Sequence, residues 1–224
     1  VDQLKFQEYL MIDKRVDNLE VALSGIEDGS TILVGGFGNA GSPIRLLEAL
    51  IEQGAKELTI VSNNAGEGKF GLAALMKAGR ISKVICSYPR SSGSVIFEEL
   101  YAQGKIDLEV VPQGTLSERM RAAGAGIGGF FTPTSAGTLL GADKETREID
   151  GKLHVLEAPL KGDVALIKGD VGDRWGNLTY NKTARNFGPT MAMAADLTIA
   201  QVQTIRELGE INPEYVVTPG IFVD

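Results

Sequence analysis

Four times within its first 126 residues the chain runs from a short β-branched stretch, through a polar or glycine-bearing loop, into an apolar-striped segment. The stretches are "TILVGGF" (31–37), "ELTIVSNNAG" (57–66), "ISKVICSYPR" (81–90) and "IDLEVVPQGT" (106–115). Strand and helix patterns alternating in this way predict an α/β fold, a wound parallel sheet with helices on both faces. Right-handed crossovers then gather all four loops at one end, beyond the carboxyl ends of the strands. Before the first strand, Val16, Leu19, Val21, Ala22, Leu23 and Ile26 make roughly one helical stripe, and after it Ile44, Leu47, Leu50 and Ile51 make another. The second stripe reads as a helix capped by Ser42, with Pro43 at its first position and Gly54 at its end.

Past Gly126 the pattern turns irregular and β-rich. "GIGGFFTPTSAGT" reads as a long loop, and "REIDGKLHVLEAPL" as a hairpin turning at Asp150-Gly151. "DVALIKGDVGDRWGNLTY" adds strands, "NFGPTMAMAA" a helix, and "DLTIAQV" and "EYVVTPGIFV" edge pieces. No linker composition interrupts 11–224, which reads as a single domain, with residues 1–10 set aside as an extension. A net charge of −7 without a run of like charges argues against a nucleic-acid-binding face. One cysteine and no apolar run near ~18 residues fit a reduced, cytoplasmic setting.

The first loop holds Gly36-Phe37-Gly38-Asn39-Ala40-Gly41, which has G-x-G-x-x-G spacing. A strand, glycines and a helix N-terminus offer backbone N–H groups to an anion. A dinucleotide site also needs an acid ~20 residues on, to hold the ribose. Here the second strand ends in Ser62, Asn63 and Asn64, so an NAD(P)-dependent oxidoreductase is disfavoured, and a purely structural turn stays open. Asn63 and Asn64 can donate amides to an oxyanion, or simply form an Asx-turn. Gln113 and Gly114 hold the matching place after the fourth strand. His154, the lone histidine, lies in an alternating strand, so neither a Ser-His-Asp triad nor a metal site is expected. Cys86 reads as a buried hydrophobe and Glu67, between glycines, as a solvated turn acid. The loops suit an anion but offer no evident attacking group.

Four segments in order, "DGSTILVGGFGNAGSP", "LTIVSNNAG", "PQGTLSERMRAAGAGIGGFFTPT" and "GNLTYNKTARNF", resemble the A subunit of family I coenzyme A transferases, which have a NagB-like sheet. The resemblance runs from Met11 to Asp224. It implies ping-pong chemistry in which a glutamate attacks the acyl-CoA thioester, giving an anhydride and CoA thiolate. The thiolate then forms a glutamyl-CoA thioester and frees the donor acid. In this family that glutamate lies on the partner, the catalytic B subunit, and no Glu-Asn-Gly occurs here. The resemblance further implies an α2β2 assembly with CoA as substrate and no tightly bound cofactor. It assigns Gly35, Gly36, Phe37, Gly38, Asn39, Ala40 and Gly41 to CoA, and turns Asn63, Asn64, Gln113 and Gly114 toward the partner's glutamate. "SNNAGEGKFGLAALMKAGRISKVICSYPRSS" and "VVTPGIFV" look most like members that use succinyl-CoA and 3-oxoadipate; acetate and acetoacetate users and a non-catalytic ligand sensor are the other readings. A second carboxylate on the acyl group calls for a cation, and Arg90 with Ser91 and Ser92 is the candidate, set against a solvated loop arginine. Ser135-Ala136 and Trp175 depart from the family pattern, where glycine-tyrosine and a smaller residue are common.

Overall fold

The computed structural model describes residues 12–90 and 93–224. Its first half runs α1 (Leu19–Leu23), β1 (Thr31–Val34), α2 (Ile44–Gln53), β2 (Leu58–Asn64), α3 (Leu72–Lys77), β3 (Ile81–Tyr88), α4 (Val95–Ala102), β4 (Asp107–Val110) and α5 (Gln113–Gly124). The second half adds β5 (Phe130–Thr132), β6 (Thr146–Ile149), β7 (Lys152–Glu157), β8 (Gly162–Asp173), α6 (Gly188–Met193) and β9 (Ala195–Arg206). Six strands form one parallel sheet in the order β4-β3-β2-β1-β8-β9. β5, β7 and β6 form a separate antiparallel sheet.

Alternate residues of the central strands feed two cores, as a parallel sheet covered on both faces requires. Ile32, Ile60, Val84 and Leu166 meet Leu23, Leu47, Leu50, Leu75 and Phe97 from α1 to α4. Leu33, Val61, Ile85 and Ile167 meet Leu116, Met120 and Met191 from α5 and α6. Cys86 lies in the first core, and burial pushes its thiol up to about 12. α5 and α6 touch at Gly124, where a Cβ would stand 2.7 Å from the Met193 backbone oxygen. Among the described residues no helix is long and apolar enough to cross a membrane.

The predicted α/β architecture with helices on both faces is the one observed, and the hairpin does turn at Asp150-Gly151. There φ of 49° and 71° match the type I′ geometry that Asp-Gly favours. The stripe from Val16 to Ile26 yields only the five-residue α1, because Val16 and Val21 are exposed and Asn18 caps the helix through Val21 N–H. α2 begins one residue later than expected, with Pro43 at its cap position and Ser42 buried before it. α5 begins at Gln113, directly after Pro112, so Gln113 and Gly114 sit in its first turn. The second half supplies β8 and β9, the two 12-residue strands of the main sheet, where the pattern had marked only shorter pieces.

Charge pairs fasten the small sheet to the large one. Lys83 donates to Glu109 at 2.8 Å, and Arg119 of α5 reaches the other Glu109 oxygen at 3.1 Å. Arg119 also donates to the Ala158 carbonyl at 2.9 Å and lies 4.0 Å from Glu157. Glu157, only 2% exposed, takes a further close bond from Lys144. Burial is the largest single influence on Glu109 and pushes its pKa up, but the bonds from Lys83 and Arg119 outweigh it and hold the carboxyl below its ordinary value. A lowered folded pKa means this stabilisation is complete above the ordinary carboxylate range and disappears as pH falls through the folded value. Glu157→Gln leaves Lys144 and Arg119 facing a neutral amide. It should cost about 3 kcal/mol, read as a lower urea midpoint at pH 7 with an unchanged m-value.

Candidate functional site

β1 to β4 progress to one side of the sheet while β8 lies on the other side of β1, so the strand order, though not the strand direction, reverses between β1 and β8. The crevice beyond such a reversal is where open α/β sheets hold ligands. The loop at 35–41, Asn63, Asn64, Arg90, Gln113 and Gly114 all come from this end of the sheet, as right-handed crossovers predict.

The glycine segment is a small hairpin. Phe37 N–H donates to Ala40 O at 3.0 Å, and Ala40 N–H returns to Phe37 O at 3.2 Å. Gly35 N–H continues the β1–β8 pairing on Leu166 O, Gly36 N–H goes to Asn186 Oδ1, and Ser42 N–H goes to Asn39 O. The expectation that this loop opens its N–H groups to an anion is therefore cut back. Among the described residues, only Gly38, Asn39 and Gly41 N–H remain without a partner, and α2 starts beyond Pro43. The hairpin needs glycine at 41, where φ is 73° and a Cβ would stand 2.2 Å from Ala184 O.

Asn63 and Gln113 come together as the sequence placed them. Asn63, 3% exposed, accepts at Oδ1 from Gln113 Nε2 at 2.8 Å and from the Ser87 hydroxyl at 2.9 Å. With that oxygen occupied twice, the amide Nδ2 has no protein partner among the described residues. It borders a cavity of about 450 Å³ lined also by Phe37, Gly38, Glu67 and Tyr88. Asn64 instead takes Gly66 N–H on its Oδ1 at 3.0 Å, the Asx-turn alternative, though it too reaches the cavity. Between the hairpin and residues 62–72 only about 30 Å³ remains, room for water and no more.

Arg90 does not join them. Its side chain is 78% exposed and bound fork-to-fork by Glu98, at 3.0 and 3.1 Å, outside both cavity linings. Ser91 and Ser92 lie outside the described residues. Ser135 has φ of 72°, a left-handed conformation that glycine adopts without strain, and Trp175 carries Arg174 at 5.9 Å over its ring. His154 lies in β7, its Nδ1 2.8 Å from Lys152 O, away from the cavity. Sequence reasoning missed Ser87 and Tyr88, one β3 step apart, and Asn186. Only the polar end of "VICSY" hinted at the first two; Asn186 lay within the segment "GNLTYNKTARNF" that carries the resemblance, but no local pattern singled it out.

Residues 16–224 match the family model described as coenzyme A transferase. The A subunit of the 3-oxoadipate CoA-transferase of Pseudomonas putida is 63% identical over 213 residues, which are 95% of this chain and 92% of that protein. The A subunit of the succinyl-CoA:3-ketoacid coenzyme A transferase of Helicobacter pylori is 45% identical over 212 residues, 95% and 90% of the two chains. Among solved structures, an acyl-CoA transferase from Escherichia coli O157:H7 in a thioester complex with CoA superposes with a TM-score of 0.84 at 23% identity. The match covers 95% of this chain and 49% of that one, so this chain spans about half the length of the larger protein. At that identity the likeness speaks for the fold.

A loop folded into a hairpin, with four of its seven N–H groups already bonded, beside a strand end without a ribose acid, should not take a dinucleotide. NADH titrated with the protein is expected to keep its free fluorescence; a saturable change would restore the oxidoreductase reading.

Proposed function

Because this chain belongs to the coenzyme A transferase family, we propose that it is the non-nucleophilic half of a two-subunit enzyme that moves CoA from succinyl-CoA to a 3-oxo acid, with 3-oxoadipate as the acceptor. The high identity to the P. putida protein over nearly the whole of both chains supports the acceptor. The free Asn63 amide, fixed from behind by Ser87 and Gln113 at the mouth of an open cavity, carries the mechanism.

In that mechanism the partner subunit's glutamate attacks the thioester carbonyl, and negative charge collects on the carbonyl oxygen as the new C–O bond forms, then leaves with the CoA thiolate as the C–S bond breaks. A donor already held in place meets that oxygen without reorganising, which is worth ~2.7–4 kcal/mol when the geometry fits. Asn63 Nδ2 is such a donor, because Ser87 and Gln113 fix which end of the amide faces outward. Asn64, Gly38 and Asn39 add N–H groups around the same opening.

Two observations support a partner over this opening. Phe37, Phe70 and Tyr88 stand around it, each more than half exposed, as aromatic residues do in the core of a protein interface. Gly114 sits in the first turn of α5 with nothing among the described residues within 4 Å of where a Cβ would be, which leaves room there for a partner. Closure by a partner would exclude water from the anhydride, and an α2β2 assembly meets the need. For the distal carboxylate we retain Arg90, which has to leave Glu98 to serve; an exposed pair of this kind breaks cheaply.

Purified alone, the chain should not turn over succinyl-CoA with 3-oxoadipate, and co-expressed with a partner carrying Glu-Asn-Gly it should. Robust turnover with a borohydride-sensitive glutamyl-CoA adduct on this chain alone would overturn the two-subunit reading. In the complex, Asn63→Ala should lower kcat about 10²- to 10³-fold at nearly constant KM. A loss confined to KM would assign Asn63 to substrate binding instead.

A further inference from the structure

The segment 181–187, "NKTARNF", supplies none of the donors used above, yet it contains the most constrained backbone near the site. Asn186 has φ of 26° and ψ of −120°, a conformation suited to glycine and strained for any residue with a Cβ. Strain of this kind persists only where surrounding contacts hold it, and it gathers at functional sites.

The contacts are all made by one side chain. Asn186 Oδ1 accepts Gly36 N–H at 3.0 Å and the following Phe187 N–H at 2.8 Å. Its Nδ2 donates to Ala40 O and Ala184 O, each at 3.0 Å, and lies 3.3 Å from Thr183 O. A single amide therefore grips the entrance of the glycine hairpin at Gly36 and its exit at Ala40. Gly36 is buried, so its N–H has no water to turn to if the oxygen is lost. Only a carboxamide at this reach both accepts and donates. Aspartate would set a negative oxygen against three carbonyls, and alanine would offer neither group.

The geometry points to Asn186 as a positioning residue for acyl-CoA. It acts through the hairpin, whose tip residues Phe37 and Gly38 form the wall facing Asn63 in the cavity. The inference rests on the transferase reading and adds a specific part to it. Among the described residues no hydrogen bond joins Asn186 to Asn63, Gln113 or Ser87, so its loss should loosen the wall and leave the oxyanion donor in place. The acyl-CoA, which must lie against that wall, should suffer more than the smaller acid.

The test uses the complex with the catalytic partner and the variants Asn186→Ala, Asn186→Asp and Asn186→Gly. The glycine variant relieves the backbone strain, so it folds even if the others do not. Hydrogen exchange in the peptide covering residues 35–41 should quicken in all of them. The KM for succinyl-CoA should rise about tenfold or more while the KM for the acid changes less than about threefold. Unchanged exchange would overturn the clamp. Faster exchange with kinetics within about twofold of the parent, or both KM values rising together with a fall in Tm, would leave Asn186 structural and overturn its positioning role. If the parent complex itself fails to turn over, the transferase reading fails, and the exchange data still decide the clamp.

Discussion

The pairing of β1 with β8 is the contact on which the rest of the arrangement depends. Residues more than 130 positions apart, Ile32 with Val164 and Val34 with Leu166, lie in parallel register, and Gly35 N–H carries the ladder one step further onto Leu166 O. Every strand after β1 in the first half builds away from this junction, and β9 builds on its other side. The pairing closes the sheet over both cores and leaves a crevice at its carboxyl end. It also carries the segment after β8 back across the glycine hairpin.

The site follows from that geometry as two layers of restraint. Nearest the cavity, Asn63 is held by Ser87 from β3 and Gln113 from the first turn of α5, so three neighbouring strand ends fix one amide. Across from it the hairpin wall is held by Asn186, which belongs to the far half of the chain. Each restraint is a set of neutral hydrogen bonds in a partly enclosed place, where such bonds gain strength and unmade ones are costly. The charged residues play a different part. Lys83, Glu109, Arg119, Glu157 and Lys144 tie the antiparallel sheet to the edge of the parallel one and, among the described residues, make no hydrogen bond to the donors.

On the proposed reading, a single chain of this form is half of an active site. It offers donors and a wall, and it holds no Glu-Asn-Gly to supply the attacking carboxylate. Dividing the nucleophile from the oxyanion donors would make chemistry conditional on assembly, which keeps a reactive glutamyl thioester away from water until both halves meet. The exposed aromatics around the opening and the space left beside Gly114 fit that division.

Local pattern determined the strands β1 to β4, the helices between them, the layered α/β architecture and the loops that carry function. Those features depend on apolar periodicity and turn chemistry within a dozen residues, so they can be read along the chain. The Asp150-Gly151 turn and the burial of Cys86 belong with them. The length of β8 and β9 was not legible, because glycines at 162, 169 and 172 mask a strand that the neighbouring strands hold straight. The fate of the glycine loop was not legible either. G-x-G-x-x-G spacing suits an anion cradle and a closed hairpin equally, and the choice was made by Asn186, 150 residues from Gly36. Which of two adjacent asparagines is tied to the neighbouring strand ends, and which forms an Asx-turn, was likewise decided by Ser87 and Gln113. A hydrogen bond needs its partner within about 3 Å, and the order of residues along a chain says nothing about which distant ones will meet at that range.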